Sequence, residues 1–311
     1  METIIYDMAV IGGGPAGYTA ALYAARAGMR VCVLEMALAG GQMTTTDIID
    51  NYPGFDEGIE GWELGDKMKR SAERFGAVTV QTTVSACQLT GEIKRLETGS
   101  GTVSAYTVVI AAGASPKLLG IPDEERLWGR GVHTCAHCDG RFYRGKTAVV
   151  IGGGNSAAAD ALYLARFAEK VYLVHRRDSL RAEQYYKNAL SETSVEFLWN
   201  KETVRFLGEE RMAGIVLRDT QNGTEMSVDC DGVFISIGRQ PQTAIFAGQL
   251  SLDKNGYIIA DESTETNIPG VYAAGDIRTK ALRQVITAAS DGACAAHAAE
   301  LYLAASVNTK Q

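Results

Sequence analysis

The sequence is poor in proline, carries no excess of positive charge and contains no long apolar run. Only 6 of its 311 residues are proline, which argues against a proline-rich, extended or disordered chain. The formal net charge of −7 argues against nucleic-acid binding, which needs a basic face to displace counterions. No apolar stretch approaches the ~20 residues that a membrane-spanning helix requires. The opening residues Met1-Glu2-Thr3-Ile4-Ile5-Tyr6-Asp7 have neither the basic region nor the cleavage site of a signal peptide. The expectation is a cytoplasmic protein that engages neither nucleic acid nor membrane.

Cysteine is scarce as well. Six cysteines in a chain of this length do not make a disulfide scaffold. Cys32, Cys87, Cys230 and Cys294 are scattered through apolar or strand-like stretches and are expected to be buried, inert thiols. Only Cys135 and Cys138 stand close together. Glycine, by contrast, is plentiful at 34 residues, above the ~7% of ordinary chains. With 46% apolar and 22% charged residues, the chain reads as globular, and its length suggests about two domains.

An internal repeat organises it. Gly12-Gly13-Gly14-Pro15-Ala16-Gly17 through Val31-Cys32-Val33-Leu34-Glu35 aligns without a gap, at an offset of 140, with Gly152-Gly153-Gly154-Asn155-Ser156-Ala157 through Val171-Tyr172-Leu173-Val174-His175. Ala21-Leu22-Tyr23 matches Ala161-Leu162-Tyr163 between them. Each copy reads as strand, glycine turn, amphipathic helix, strand, with Ile4 to Ile11 and Thr147 to Ile151 supplying the first strands. That is a right-handed βαβ unit. A lone glycine motif is weak evidence, but this context is what a dinucleotide site needs. The glycines permit the turn and let backbone N–H groups approach a pyrophosphate at the helix N-terminus.

The ends of the second strands separate two nucleotides. Glu35 can accept hydrogen bonds from free ribose hydroxyls, as in FAD or NAD, and would repel a 2′-phosphate. In the second copy His175 takes that place, followed by Arg176, Arg177 and Arg181. Guanidiniums there suit the 2′-phosphate of NADPH; a solvated basic surface is the alternative. A third glycine motif, Gly270-Val271-Tyr272-Ala273-Ala274-Gly275-Asp276, precedes a helix expected at roughly 282–304. Asp276 could bind a flavin ribityl hydroxyl or cap that helix, and the residues alone do not choose.

The close cysteine pair lies in His133-Thr134-Cys135-Ala136-His137-Cys138-Asp139-Gly140, just before the strand of the second copy. Cys-x-x-Cys spacing at the start of a helix brings two sulfurs within bonding distance and favours thiolate, with Thr134 a plausible cap. Zinc is the rival. Four ligands within six residues (His133, Cys135, His137, Cys138) would struggle to surround it tetrahedrally, and no second Cys-x-x-Cys completes a site. No metal is expected. Beside a dinucleotide domain, such a pair reads as redox-active. Asp139 could exchange the proton that thiol–disulfide chemistry requires, or serve only as a turn hydrogen bond.

Over essentially its full length the chain resembles the bacterial low-molecular-weight NADPH-thioredoxin reductases. The resemblance rests on GGGPAGYTAALYAARAG at the start, GGQM at 40–43, DNYPGF at 50–55, CAHCDG at 135–140, GGGNSA at 152–157, HRRDSLRA at 175–182, GVYAAGDIR at 270–278 and RQVITAASDG at 283–292. His137 stands where threonine is frequent, and Ala158-Ala159 where an acidic residue is common.

The resemblance implies an α/β fold of two Rossmann-like dinucleotide-binding domains, one inserted in the other. The FAD domain would span 1–116 and 244–311, and the NADPH domain, carrying the cysteine pair, 117–243. The connections would be Ala111-Ala112-Gly113-Ala114-Ser115-Pro116 and Gly238-Arg239-Gln240-Pro241. FAD would meet Gly12, Gly14, Pro15, Ala16, Gly17, Glu35, Gly41, Gln42, Asn51, Ala112, Gly275, Asp276, Arg283, Gln284 and Val285. NADPH would meet Gly152, Gly154, Asn155, Ser156, His175, Arg176, Arg177 and Arg181. Cys135, Cys138 and Asp139 would be catalytic. The implied activity is hydride transfer from NADPH to FAD, then electron transfer through Cys135–Cys138 to the disulfide of a thioredoxin or thioredoxin-like redoxin, by a homodimer. In relatives the NADPH domain rotates to present nicotinamide and dithiol in turn. A related flavin-dependent dithiol oxidoreductase with another donor or acceptor, such as a ferredoxin or a peroxiredoxin, is the alternative.

Overall fold

A computed structural model describes residues 4–46 and 48–308. The chain divides into two compact units, one of residues 1–115 and 240–311, the other of residues 116–239. Both are α/β, as the repeat predicts.

The first unit is built on a seven-stranded sheet. Ile5–Ile11 lies between Val31–Glu35 and Gly101–Ile110, parallel to both. Val78–Gln81 extends the parallel set beyond Val31–Glu35, and Val271–Ala273 pairs parallel with Gly101–Ile110. The antiparallel strands Lys94–Thr98 and Val84–Gln88 complete the other edge. Both faces are covered, so the central strands are continuous apolar runs. Met8 and Val10 point to one core, and Ala9 and Ile11 to the other. Helix α1 (Pro15–Arg26) and the long C-terminal helix α6 (Val285–Asn308) supply the first core; α2 (Gly61–Glu73) lies between them in sequence.

The alanine-rich helices approach closely because Gly292 of α6 has no side chain. A Cβ there would stand 2.2 Å from the Ala16 carbonyl oxygen. Ala288, Gly292, Ala295, Ala296 and Ala299 form the buried face of α6, spaced as one face of a helix. Cys294 falls on the opposite face and is exposed, correcting the expectation of a buried thiol. Cys32 and Cys230 are buried, and burial pushes each thiol up to about 12.

The second unit carries a five-stranded parallel sheet in the order Val132–His133, Gly232–Ile235, Thr147–Ile151, Lys170–His175, Glu196–Trp199. An antiparallel three-stranded sheet, Lys201–Leu207, Gly214–Asp219 and Glu225–Asp229, accompanies it. Helix α3 (Ala136–Asp139) is a single turn, α4 (Asn155–Leu164) follows the second glycine loop, and α5 (Gln184–Ser191) comes after the arginine cluster.

The repeat is structural to the residue. Met8 pairs with Val31 in the first copy, and Ala148 with Val171 in the second, both displaced by the sequence offset. Gly12 and Gly152 adopt φ of 101° and 157°. A Cβ would lie 2.5 Å from the Ala111 oxygen at Gly12 and 2.4 Å from the Ser236 oxygen at Gly152. Glycine at the first turn position is therefore a steric requirement in both copies.

Candidate active site and nucleotide-binding loops

Cys135 and Cys138 form a disulfide with their Cα atoms 5.3 Å apart. Both are half-buried. Strand Val132–His133 delivers the chain to Cys135, whose carbonyl oxygen accepts the backbone N–H groups of Cys138 and Asp139 at 3.2 and 3.1 Å. Cys135 is itself the residue that caps α3, and no side chain bonds the first turn. Thr134 is thus not the cap; the helix begins one residue later than that reading requires. Ala136 is fully buried in the core of this unit and anchors the turn from below.

Two histidines flank the sulfurs in different surroundings. His133 Nδ1 lies 3.1 Å from Asp139 Oδ2, and its Nε2 lies 2.7 Å from the Tyr143 hydroxyl. Its ring stacks on Phe234 with centroids 5.3 Å apart. Tyr143 lies on the bare backbone of Gly232, where a Cβ would stand 2.2 Å from the ring. Burial, and then the Asp139 charge, push the Tyr143 hydroxyl up, so it keeps its proton.

His137 is exposed and stacks on Tyr163 at 4.3 Å. Its Nδ1 is 3.9 Å from Asp160 Oδ1, and burial followed by the Arg166 charge lowers its pKa. Burial raises Asp160 to about 6, even though the Ser236 hydroxyl donates to its Oδ2.

The glycine loops fit nucleotide phosphates. Gly14 and Gly154 occupy the N-cap positions of α1 and α4, and neither has an atom within 4 Å of where a Cβ would stand. A glycine cap has no side chain with which to satisfy the first-turn amides, which are left for an anion. Pro15, at the first position of α1, removes an amide that would have had no partner anyway. Ala16 and Gly17 are buried against the loop, where a Cβ on Gly17 would meet the Gly12 oxygen at 1.9 Å. Ser156 is exposed on α4.

Around the first loop the expected flavin residues gather in one unit. Glu35 accepts the Gly13 N–H through Oε2 and the Ala37 N–H through Oε1, the latter at 2.8 Å. A carboxylate has about four acceptor sites, so it can hold the loop and still meet ribose hydroxyls. A Cβ on Gly41 would lie 3.5 Å from the Gly14 Cα, and Gln42 Nε2 donates to the Ala114 oxygen at 2.8 Å. Asn51 donates to Gln284 Oε1 at 3.0 Å. Ala112 packs beside the sheet core. Arg283 lies over the Tyr257 ring at 4.3 Å, with its Nε buried and lacking a hydrogen-bond partner among the described residues. Arg283 and Gln284 immediately precede α6, which begins at Val285 and ends at Asn308, later at both ends than the spacing predicts. Asp276 sits in a separate turn, Gly275–Ile277, and so does not cap α6.

At the second loop, His175 is buried, and a Cβ on Gly153 would lie 2.2 Å from its ring. Burial, then the charges of Arg181, Arg177 and Arg176, lower its pKa. The three arginines are exposed. The Arg181 N–H donates to the Gly153 oxygen at 2.7 Å, and Asn155 exchanges two hydrogen bonds with Glu183. The glycine loop and the arginine turn are thereby tied together.

Sequence reasoning missed a buried charge cluster. Arg278 and Asp291 are 2% and 5% exposed. Asp291 also accepts the Gly275 N–H and Lys280 Nζ, both at 2.8 Å. Burial alone would raise Asp291, but the bonds from Arg278 and Lys280 prevail and hold its carboxyl below the ordinary range. Both residues stand in motifs that carry the resemblance, yet their partnership across 13 positions has no local signal.

Comparison with known proteins gives the family. Residues 6–292 match the family described as pyridine nucleotide-disulphide oxidoreductase. The chain is 45% identical to a thioredoxin reductase of Streptomyces clavuligerus, covering 99% of this chain and 97% of that one. It is also 45% identical to a thioredoxin reductase of Bacillus subtilis, over 97% and 96%. A crystal structure of thioredoxin reductase from Streptococcus pyogenes aligns with a TM-score of 0.90 at 40% identity, covering 98% of this chain and 100% of that one. Two glycine loops in one register, a cysteine pair ahead of the second, and full-length likeness to such enzymes lead to one assignment: this chain belongs to the pyridine nucleotide-disulphide oxidoreductases.

Proposed function

We propose that this protein is an NADPH-dependent thioredoxin-disulfide reductase. One observation carries the reading most directly: Cys135 and Cys138 are joined across a single helical turn with Asp139 beside them, in the unit that holds the second glycine loop. FAD and NADPH, when bound, supply the two-electron chemistry, hydride from the nicotinamide and an electron pair from the flavin. The unit of residues 1–115 and 240–311 takes FAD, with α1 facing the pyrophosphate, Glu35 on a ribose and Arg283 offering a buried nitrogen. The unit of residues 116–239 takes NADPH through the α4 loop, with Arg176, Arg177 and Arg181 on the 2′-phosphate. His175 serves there as packing beneath the loop.

The protein's own residues do the rest. Reduced Cys135 and Cys138 present a thiolate and a thiol. The thiolate attacks the partner's disulfide, and Asp139 gives the leaving sulfur its proton. The second sulfur then closes the Cys135–Cys138 bond and frees the partner as a dithiol. No helix of the described residues is long and apolar enough to cross a membrane. The protein is read as a cytoplasmic homodimer; a thioredoxin as its partner is supported by the relatives, which are named thioredoxin reductases.

The test is an NADPH-coupled assay with thioredoxins of the source organism, comparing the parent with Cys138→Ser. Thioredoxin-dependent NADPH oxidation that disappears in the variant, while the flavin still bleaches with NADPH, is expected. Undiminished turnover in the variant would remove the dithiol from the reaction.

A further inference from the structure

We infer that His133 is a positioning residue for the proton transfer at the dithiol, holding Asp139 through one carboxylate oxygen and held in turn by Tyr143. The inference rests on the disulfide-reductase reading and extends it to a side chain which that reading leaves without a role.

The geometry fixes the protons. Tyr143 keeps its hydroxyl proton, pushed up first by burial and then by the Asp139 charge, and lies 2.7 Å from His133 Nε2. A carboxylate can only accept, so an ionised Asp139 takes the N–H of Nδ1; Nε2 of the neutral ring then accepts and the hydroxyl donates. A neutral imidazole whose Nε2 accepts carries its proton on Nδ1. That N–H points at Asp139 Oδ2, 3.1 Å away. Two aromatic rings hold the imidazole, Phe234 stacked at 5.3 Å and Tyr143 edge-on at 5.4 Å. Tyr143 in turn rests on Gly232, where no side chain fits. His133 is 10% exposed and Asp139 17%, so the chain Tyr143–His133–Asp139 is largely shielded from water.

The consequence lies in which oxygen does the chemistry. Oδ2 accepts from His133 whether Asp139 is ionised or protonated, so the mobile proton is confined to Oδ1. When the enzyme thiolate attacks, a new enzyme–partner S–S bond forms and the partner's own S–S bond breaks. The leaving sulfur takes the proton from Oδ1. The remaining enzyme thiol then gives its proton to Oδ1 and attacks the mixed disulfide, re-forming Cys135–Cys138. The partner's second sulfur leaves as thiolate and takes that proton back. Two electrons have passed to the partner, the dithiol is oxidised, and Asp139 regains one proton from solvent per turnover. His133 neither gains nor loses a proton in this cycle; it orients the group that does.

The experiment compares the flavin-loaded parent with His133→Ala, His133→Asn and Tyr143→Phe. Asparagine places an amide N–H near the position of Nδ1–H, so it is the rescuing substitution. Two reactions are measured. One is flavin bleaching by NADPH, a hydride step that precedes the dithiol in the proposed reaction. The other is exchange of dithiothreitol-reduced protein, freed of reductant, with thioredoxin disulfide and with dithionitrobenzoate, which bypasses nicotinamide and flavin. Loss of a hydrogen bond to a carboxylate predicts exchange slowed about ten- to a hundredfold in His133→Ala, with partial recovery in His133→Asn, a smaller loss in Tyr143→Phe and unchanged bleaching. The solvent deuterium isotope effect on exchange should rise in His133→Ala as proton transfer becomes limiting. Exchange at the parental rate in His133→Ala, or equal slowing in His133→Asn, would overturn the inference. If His133→Ala does not fold, Tyr143→Phe at the parental rate does the same. A parent that fails with thioredoxin yet exchanges with dithionitrobenzoate would sink the thioredoxin reading alone, because the ratio of variant to parent is still read on the chemical disulfide.

Discussion

Arg278 grips Asp291 with a two-point contact, Nε to Oδ2 at 2.8 Å and Nη2 to Oδ1 at 2.7 Å, in the interior of the first unit. The pair binds the turn after Val271–Ala273 to α6, because Asp291 also accepts the Gly275 N–H. Arg278→Met leaves a buried carboxylate supported only by Lys280 and a backbone amide. Breaking a buried pair from one side costs about 3–5 kcal/mol. The expected outcome is a fall of that order in unfolding free energy, measured by denaturant titration.

The same pair gives a pH dependence with a definite sign. Asp291 is held below the ordinary carboxylate range in the folded protein. Its contribution is therefore present above the unfolded pKa of about 4 and is lost as pH falls below it. Acid unfolding of Arg278→Met should begin at higher pH than that of the parent, which circular dichroism across pH 2 to 6 would follow.

Asp160 has the opposite sign. Burial raises it to about 6, from an ordinary value of 3.8. Stability associated with the protonated form is complete below about pH 4 and is lost as pH rises through 6. Asp160→Asn keeps an acceptor for the Ser236 hydroxyl without the buried charge. It should be more stable than the parent by about 3 kcal/mol at pH 8, with the difference vanishing near pH 4. Equal stabilities at both pH values would contradict the assignment.

The arginine turn offers a functional test. Arg177→Ala with Arg181→Ala removes two guanidiniums but not the backbone bond from Arg181 to Gly153. The Michaelis constant for NADPH should rise about ten- to a hundredfold, while that for NADH, which lacks the 2′-phosphate, stays within about twofold. A parallel loss for both cofactors would place the arginines elsewhere in the chemistry.

What the sequence reveals is what lies close along it. The two glycine loops, their strands and the cysteine pair are local patterns, and the equivalence of the Met8–Val31 and Ala148–Val171 pairings follows from the repeat offset. Partners brought together by the fold leave no such trace. His133 and Asp139 are six residues apart, but one ends a strand and the other ends a helical turn. Tyr143 enters only through a later turn. Arg278 and Asp291 meet because α6 folds back over the sheet. Nothing in the text of the chain separates buried His175 from its exposed arginine neighbours either. The cause is the missing side chain of Gly153, which makes room for the ring. Cys294 misleads for a simpler reason: an alanine-rich helix is apolar all round but packs on one side.

The common register of the two glycine units has a consequence for how the molecule can be altered. Strand pairing coincides at a fixed displacement, while the rims differ, Glu35 in one copy and the His175 turn in the other. The rims are therefore expected to be exchangeable: short segments transplanted between equivalent positions should leave the frame beneath in alignment.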